Sequence, residues 1–265
     1  MTARGSDLAG RWRPSPNCGA RAEGMRPELL ILHYTDMPTA EGAIDWLCNP
    51  SARVSSHYVV AEDGSITQLV AEADRAWHAG VAMWQGESDI NSLSIGIEIC
   101  NPGHDHGYPD FTDPQIEAVI ALSRDIIARH GIRPESVLAH SDVAPARKRD
   151  PGEKFPWARL AAAGVGHYVA PEPIGSGRLL QRGDLGIAVG GLQMMLRLYG
   201  YGIAVTGEYD LATEQVVQAF QRHFRPALVD GIADASTLAT LRRLASALAP
   251  EGRPTFVTPV PRRRA

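Results

Sequence analysis

The chain has few cysteines, and none is placed to build a covalent or metal framework. Cys18, Cys48 and Cys100 are the only three among 265 residues, and they are widely separated, without a Cys-x-x-Cys pair. An odd number at such spacings argues against a disulfide scaffold and against a zinc knuckle. We therefore expect three inert thiols in a reducing compartment.

Long hydrophobic runs are also missing. Residues 1–24 contain only isolated apolar side chains such as Leu8 and Trp12, whereas a secretory signal has an apolar stretch of about 7–15 residues. No segment of the sequence approaches the length and apolarity of a membrane span. These absences predict a cytoplasmic protein, with the periplasm or cell envelope as the alternative.

An excess of positive charge is lacking as well. Lysine and arginine total 26 against 30 aspartates and glutamates, which gives a net charge of −4. Nucleic-acid-binding domains typically carry a basic patch, so we predict no nucleic-acid partner. Hydrophobic residues make up 44% of the chain. That content and length suit an enzyme-sized domain with a substantial core plus a smaller domain.

Short apolar runs precede His33 and His140, and each run predicts a buried strand that carries the histidine at its carboxyl end. The alternating residues 94–99 predict a further strand, in which Glu98 points away from the isoleucine face. In open α/β sheets the functional site lies at the carboxyl ends of the strands. These patterns therefore place two histidines where a site is expected.

Helical patterns lie between and after these strands. Residues 40–47 predict a short helix, and Thr112 with Gln115 forms a capping-box pattern before the longest predicted helix, which ends at Gly131. Residues 56–70 predict a hairpin. The mixture predicts an α/β fold, in which a central mixed β-sheet is flanked by helices.

The C-terminal part of the chain repeats one helix-capping pattern. Gly207-x-x-Asp210-x-x-Thr213 recurs 24 residues later as Gly231-x-x-Asp234-x-x-Thr237. Each aspartate is placed to cap a helix. A further helix is predicted over about residues 188–199. We expect a small three-helix domain, which lacks a cluster of catalytic groups and is better suited to binding than to chemistry.

His33, His140 and Asp150 can be read as one metal site. Two imidazoles and a carboxylate supply three of the four ligands of a tetrahedral zinc ion, and the vacant fourth position would hold a water molecule. Taken singly, each residue has a simpler interpretation, because lone histidines are commonly structural and Asp150 stands in a turn-forming Asp-Pro-Gly sequence. The three residues are predicted ligands only as a set.

An ordered series of motifs connects this set with a known family. The motifs are Ser15-Pro-Asn17, Leu30-Ile-Leu-His-Tyr-Thr35, Val54-Ser-Ser-His-Tyr58, Ala76-Trp-His-Ala-Gly80, Asn91-Ser-Leu-Ser-Ile-Gly-Ile-Glu98, and Leu138-Ala-His-Ser-Asp142 with Arg147-Lys-Arg-Asp-Pro-Gly152. With this series, the chain resembles the zinc-dependent N-acetylmuramoyl-L-alanine amidases, a group that includes the peptidoglycan recognition proteins. The resemblance covers about residues 15–157 and implies the mixed-sheet fold of that group.

The resemblance assigns roles to five residues. It implies one zinc ion per chain, held by His33, His140 and Asp150. Glu98 matches the catalytic glutamate, a general base or water-orienting group, and Lys148 matches the lysine that stabilises the oxyanion. The implied reaction is hydrolysis of the amide bond between the lactyl group of N-acetylmuramic acid and L-alanine of the stem peptide, in peptidoglycan or in muropeptides.

Each catalytic assignment has a plainer alternative in the sequence. Glu98 could be an exposed strand residue and Lys148 a solvated loop charge. Against the first alternative, the small residue Gly96 stands on the same strand face as Glu98, which is consistent with a close approach of substrate. Lys148 is two positions from a predicted ligand and can reach the same cavity.

Four further residues lie in the family motifs and are predicted to line the cleft and contact substrate: His57, Trp77, His78 and Asn91. For Trp77 and His57, structural packing is an equally open interpretation. The remaining histidines match no motif and are interpreted as structural or exposed: His104, His106, His130, His167 and His223.

The three-helix domain resembles the peptidoglycan-binding domain that is often fused to cell-wall hydrolases. The matching residues are Gly191-Leu-Gln193, Tyr199-Gly-Tyr201, Thr206-Gly-x-Tyr-Asp210, Ala219-Phe-Gln221 and Asp230-Gly-x-Ala-Asp234. These signatures mostly encode turns and caps, so they specify the fold better than the ligand. A purely structural domain is the alternative.

The predicted organisation has four segments: a zinc amidase domain over 1–165, a linker over 166–178, a peptidoglycan-binding domain over 179–247, and a flexible basic tail with prolines over 248–265. Two questions stay open at this point. The chain could be a non-catalytic peptidoglycan receptor instead of an enzyme. An enzyme could act on cytoplasmic anhydro-muropeptides or on the intact wall. The sequence predicts no oligomeric state.

Overall fold

The computed structural model describes residues 5–175, Gly177 and residues 179–248. The predicted tail, apart from its first residue, lies outside the described part. The strands are β1 (Arg11–Trp12), β2 (Cys18–Ala20), β3 (Leu29–Tyr34), β4 (Tyr58–Val60), β5 (Ile66–Gln68), β6 (Asp74–Ala76), β7 (Ser94–Ile99) and β8 (Val137–Ala139). The helices are α1 (Ala40–Leu47), α2 (Ile90–Leu93), α3 (Asp113–His130), α4 (His140–Val143), α5 (Trp157–Ala162), α6 (Ile187–Tyr199), α7 (Leu211–Phe224) and α8 (Ala235–Ala247).

Six strands form a central sheet in the order β1-β5-β4-β7-β3-β8. Neighbours are parallel except β4 and β5, which form the predicted hairpin. The sheet is therefore mixed, as the sequence predicts. Strands β2 and β6 pair separately in a small antiparallel sheet. The register of β3 against β7 sets His33 opposite Glu98, which brings two predicted site residues to one edge.

One face of the central sheet packs against α3. Leu30 and Leu32 of β3 and the isoleucines of β7 are buried against Ile116, Val119 and Ile126 of the helix, together with other apolar side chains. Each fully buried aliphatic side chain contributes about 1.5–3 kcal/mol. Apolar residues at the 3.6-residue spacing of the helix and at the two-residue spacing of the strands thus pack together in one core.

The ends of α3 follow the predicted capping pattern in part. Thr112 Oγ1 accepts a hydrogen bond from the backbone N–H of Gln115, and Gly131 ends the helix at φ +67°. The Gln115 side chain does not return to the cap. Its Nε2 donates to the carbonyls of Cys100 and Val60 instead. The amide satisfies backbone oxygens at the ends of two strands, so only half of the capping box forms.

The C-terminal part forms three helices, α6, α7 and α8. Asp210 and Asp234 cap the second and third helices by accepting from the backbone N–H groups of Thr213 and Thr237, at 2.8 and 2.7 Å. The capping prediction is confirmed at both repeats. The apolar core of this unit continues without a break into the other face of the central sheet, where it includes Ile31.

The segment predicted as a linker runs without regular secondary structure over its described residues, and it is hydrogen-bonded to the three-helix unit. His167 Nδ1 lies 2.9 Å from the hydroxyl of Tyr199, and the backbone N–H of Glu172 donates to Thr240. Ser236 in turn donates to the Glu172 carbonyl. Within the described ranges, no helix is long and apolar enough to cross a lipid bilayer.

Candidate metal centre and active site

The structure brings together the three residues of the predicted metal site. His33 lies near the end of β3, His140 begins α4 directly after β8, and Asp150 follows in the next loop. The two Nδ1 atoms are 2.8 Å apart, and Asp150 Oδ2 lies 3.1 Å from His33 Nδ1 and 2.9 Å from His140 Nδ1. All three residues are buried, and one candidate ligand atom of each lies within 4.8 Å of the others.

A chain of hydrogen bonds behind His33 fixes its tautomer. Ser94 donates its single hydroxyl proton to the carbonyl of Ile90, so its oxygen accepts from His78 Nε2 at 3.1 Å. His78 Nδ1 is then the acceptor for His33 Nε2, at 3.0 Å. Burial lowers the pKa of His33 to about 4 and the pKa of His78 well below its ordinary value, so both rings are neutral at pH 7. The Nδ1 atom of His33 is therefore unprotonated, and its lone pair faces the site.

His140 is oriented in the same way by the backbone of Ala79, the residue after His78. Its Nε2 lies 3.1 Å from the carbonyl oxygen of Ala79, which can only accept. The backbone N–H groups of His78 and Ala79 both donate to Asn91 Oδ1, at 3.1 and 2.8 Å. One short segment, pinned by Asn91, therefore orients both histidines so that each Nδ1 points at Asp150.

Three acceptors thus converge on one point. Two imidazole lone pairs and a carboxylate oxygen at such distances repel one another unless a cation lies between them. The donor set of two nitrogens and one oxygen suits a zinc ion with an open fourth position.

Glu98 lies beside this cluster on β7. The residue is partly exposed, yet its Oε2 is buried and has no hydrogen-bond partner among the described residues. Burial and the charge of Asp150 raise the pKa of Glu98 well above its ordinary value, while the positive charge of Lys148 lowers it. Lys148 is itself half-buried. Both residues therefore act electrostatically on the cluster, and their roles as general base and oxyanion partner stay predictions.

Three of the four predicted substrate contacts lie in the interior. His57 is fully buried, with Nδ1 accepting from the backbone of Gly96 and Nε2 near Arg21 and the carbonyl of Asp74. His78 and Asn91 are buried behind the three predicted metal ligands. Both ring nitrogens of His78 and the Oδ1 of Asn91 already have partners, so these two residues support the site from behind instead of lining a cleft. Trp77 is half-exposed and keeps its predicted role open.

The expectation about Gly96 also needs correction. A Cβ atom added to Gly96 would lie 2.6 Å from the imidazole of His78. The space beside Glu98 on this strand is therefore filled by His78, and it is not left for substrate. Glycine is required here because the histidine that supports His33 must lie directly against the strand.

The structure also gives partners near the site to residues that match no motif. His104 bridges Tyr34 and Glu153, with Nδ1 at 2.9 Å from the tyrosine hydroxyl and Nε2 at 3.1 Å from the carboxylate. His223 of α7 lies 2.7 Å from Asp142, two residues after a predicted ligand. Their partners are 49 to 81 positions away in the sequence. No local pattern could have indicated these contacts.

The comparisons with known proteins agree with this geometry. Residues 23–153 match the family described as N-acetylmuramoyl-L-alanine amidase, and residues 186–241 match a peptidoglycan binding domain family. The amidase AmiD of Escherichia coli is 37% identical over 242 residues, which cover 85% of this chain and 84% of that protein. This chain belongs to the N-acetylmuramoyl-L-alanine amidase family.

Two solved amidase structures share the fold. The complex of Escherichia coli AmiD with anhydro-N-acetylmuramic acid-L-Ala-D-gamma-Glu-L-Lys matches with a TM-score of 0.70 at 36% identity, over 85% of this chain and 91% of that chain. AmpDh3 from Pseudomonas aeruginosa in complex with anhydromuramic pentapeptide matches with a TM-score of 0.67 at 32% identity, over 83% and 91%. Both matches extend beyond the amidase domain of this chain.

Proposed function

We propose that this amidase is zinc-dependent and that one zinc ion per chain is held by His33, His140 and Asp150. The convergence of three hydrogen-bond acceptors, with both histidine tautomers fixed from behind, is the observation that carries the proposal. Outer partners of this kind accompany metal-binding histidines in general. Zinc supplies a Lewis acid that activates water and polarises the scissile carbonyl.

The side chains around the cluster supply the proton transfers. The unpartnered Oε2 of Glu98 accepts a proton from the attacking water and holds it until the amine leaves. The protonated Glu98 then donates to the nitrogen of L-alanine. Lys148 places a positive charge where the carbonyl oxygen becomes negative. His78, Ala79 and Asn91 hold the two histidines and take no part in the proton transfer.

The proposed substrate is a muropeptide or peptidoglycan strand, cut between the lactyl group of N-acetylmuramic acid and L-alanine. Two related amidases have been solved with anhydromuramic peptides, which supports a substrate of that class for this chain. The C-terminal match to a peptidoglycan binding domain supports a second contact with the glycan or wall.

A hydrolysis assay tests the proposal. The zinc-loaded chain should release free stem peptide from a soluble anhydro-muropeptide, and chelator treatment should abolish release until zinc is returned. Intact sacculi assayed in parallel should show which substrate is cut faster. Full turnover by the metal-free chain would contradict zinc dependence. Binding of muropeptide without any release would instead favour the non-catalytic receptor.

A further inference from the structure

One carboxylate joins the predicted metal site to the C-terminal domain. Asp142 is completely buried, two residues after His140, and accepts three hydrogen bonds. Its Oδ2 accepts from the backbone N–H of Ala139 at 2.8 Å and from His223 Nδ1 at 2.7 Å. Its Oδ1 accepts from the hydroxyl of Tyr201 at 2.7 Å. Two of the three donors therefore belong to the C-terminal domain.

The two donors are themselves fixed by aromatic packing. The imidazole of His223 is stacked between Trp157 and Phe224, with ring centroids 3.7 and 3.8 Å away. Tyr201 meets Trp84 edge to face at 5.0 Å. All five side chains are buried. Since packed aromatic rings have few alternative rotamers, the two donors present a rigid surface to Asp142.

At Gly200, the backbone of the C-terminal domain lies directly against the indole ring of Trp84. Gly200 has φ +142°, and a Cβ atom there would lie 2.5 Å from the indole of Trp84. The carbonyl of Gly200 accepts from the backbone N–H of Gln85 at 2.8 Å. The segment around Trp84 continues back to Ala79, whose carbonyl orients His140. The C-terminal domain thus packs against the segment that supports the ligand as well as against Asp142.

The contacts around Asp142 determine where His140 stands. The carboxylate ties the last residue of β8 to the short helix α4, which begins at His140. The backbone N–H of Ser141 donates to the carbonyl of Asp150 at 3.0 Å, so the same turn also places the third predicted ligand. A four-residue helix has no stability of its own and takes its position from such contacts. Loss of a donor to Asp142 would leave a buried charge short of a partner and let the turn shift.

We propose that Tyr201 and His223 are positioning residues for the metal centre, and that the C-terminal domain completes the catalytic unit through Asp142. The inference rests on the proposed function, because it assumes a zinc ion at His33, His140 and Asp150. It goes beyond the wall-binding role that the match of residues 186–241 suggests, since a domain that only bound wall would not need to hold the turn that carries a ligand.

The test uses two tyrosine variants of the full chain. Tyr201→Phe removes the hydroxyl that reaches Asp142 and keeps the ring. Tyr209→Phe is the matched control, because Tyr209 is also buried and its hydroxyl donates to the Gly231 carbonyl at 2.7 Å within the same domain. Zinc affinity is measured by competition with a chromogenic chelator, and kcat and KM are measured on a soluble muropeptide.

Tyr201→Phe should weaken zinc binding about 10-fold, because loss of a group that supports a metal ligand typically lowers metal affinity by that amount or more. It should lower kcat with little change in KM, while retention on insoluble peptidoglycan stays unchanged. Tyr209→Phe should leave zinc affinity and kcat within about twofold. His223→Phe should behave like Tyr201→Phe, and His223→Gln, which keeps an N–H donor, should recover part of the loss.

Equal zinc affinity in Tyr201→Phe, Tyr209→Phe and the wild-type chain would overturn the inference. Equal weakening in both tyrosine variants would overturn it too, because the effect would then follow from stability alone. The melting temperature of each metal-free variant separates these cases. A wild-type chain that binds no zinc would overturn the proposed function first, and this inference with it.

Discussion

Two carboxylates on the same domain, Glu72 and Glu98, have opposite environments. Glu72 accepts from Tyr58 at 2.6 Å, from His130 at 2.8 Å and from both terminal nitrogens of Arg129. Burial raises the pKa of Glu72, but these hydrogen bonds outweigh it and lower the pKa to about 2. Glu98 has one buried oxygen without a partner in the described structure, and its pKa is raised well above the ordinary value.

The difference shows how this fold separates support from chemistry. A carboxylate with every lone pair satisfied is held as an anion and fixes the elements around it. A carboxylate with a free oxygen costs stability, because a buried polar group without a partner is unfavourable by about 1–3 kcal/mol. Such a cost is typical of functional sites, where a group must be available to exchange a proton.

Substitution of Glu98 should cause the largest loss of activity. Glu98→Gln keeps the size of the side chain and removes its ability to take a proton, so kcat should fall by about 10²–10⁴ while zinc stays bound. The matched control is Glu72→Gln, the same chemical change at the fully partnered site, where kcat should stay within about threefold. Metal content and kcat on a soluble muropeptide are the measurements. Equal losses in the two variants would contradict the separation of roles.

Substitution of His78, which resembles Glu72 in that both ring nitrogens have partners, should weaken zinc binding. His78→Leu still fills the space beside Gly96, but with an apolar side chain, and it removes the acceptor that fixes the tautomer of His33. Zinc affinity should fall about 10–100-fold. His78→Gln, which keeps an acceptor, should lose less. Chelator competition measures both. An unchanged affinity in His78→Leu would show that His33 is oriented without this chain of hydrogen bonds.

The strands, the helix caps and the metal-site residues could be predicted from the sequence, whereas the contacts that support them could not. The strands before His33 and His140 are encoded by local apolar runs, and the caps at Asp210 and Asp234 by residues three positions apart, so both are predicted correctly. The convergence of His33, His140 and Asp150 follows from strand ends meeting at one edge of a parallel arrangement, once the ordered motifs are considered together.

The supporting contacts could not be predicted, because they depend on side-chain direction and on distant segments. His78 and Asn91 stand in family motifs and are predicted to contact substrate, yet their hydrogen bonds place them behind the predicted metal ligands. Asp142 reaches partners 59 and 81 positions away. Gln115 fits a local capping rule but bonds to strand carbonyls 55 and 15 positions away. In each case tertiary packing overrides the local pattern.

Glu72 should contribute modestly to the stability of the fold. Its pKa is about 2 in the folded chain against an ordinary value of 4.5. A carboxyl with a lowered pKa stabilises the fold above its unfolded-state pKa, and that contribution is lost as pH falls from about 4.5 toward 2. Near pH 6, Glu72→Gln should therefore lower the free energy of unfolding by roughly 2 kcal/mol. The difference between the two proteins should shrink steadily in acid.

Urea unfolding of the metal-free chain at a series of pH values measures that difference. Burial also lowers the pKa of His57, to about 3 from 6.5, so both proteins lose stability as pH falls below about 6.5. A constant difference from about pH 6 to pH 3 would mean that Glu72 stabilises the fold by packing and not by charge. The contrast with Glu98 would then rest on the unpartnered oxygen alone.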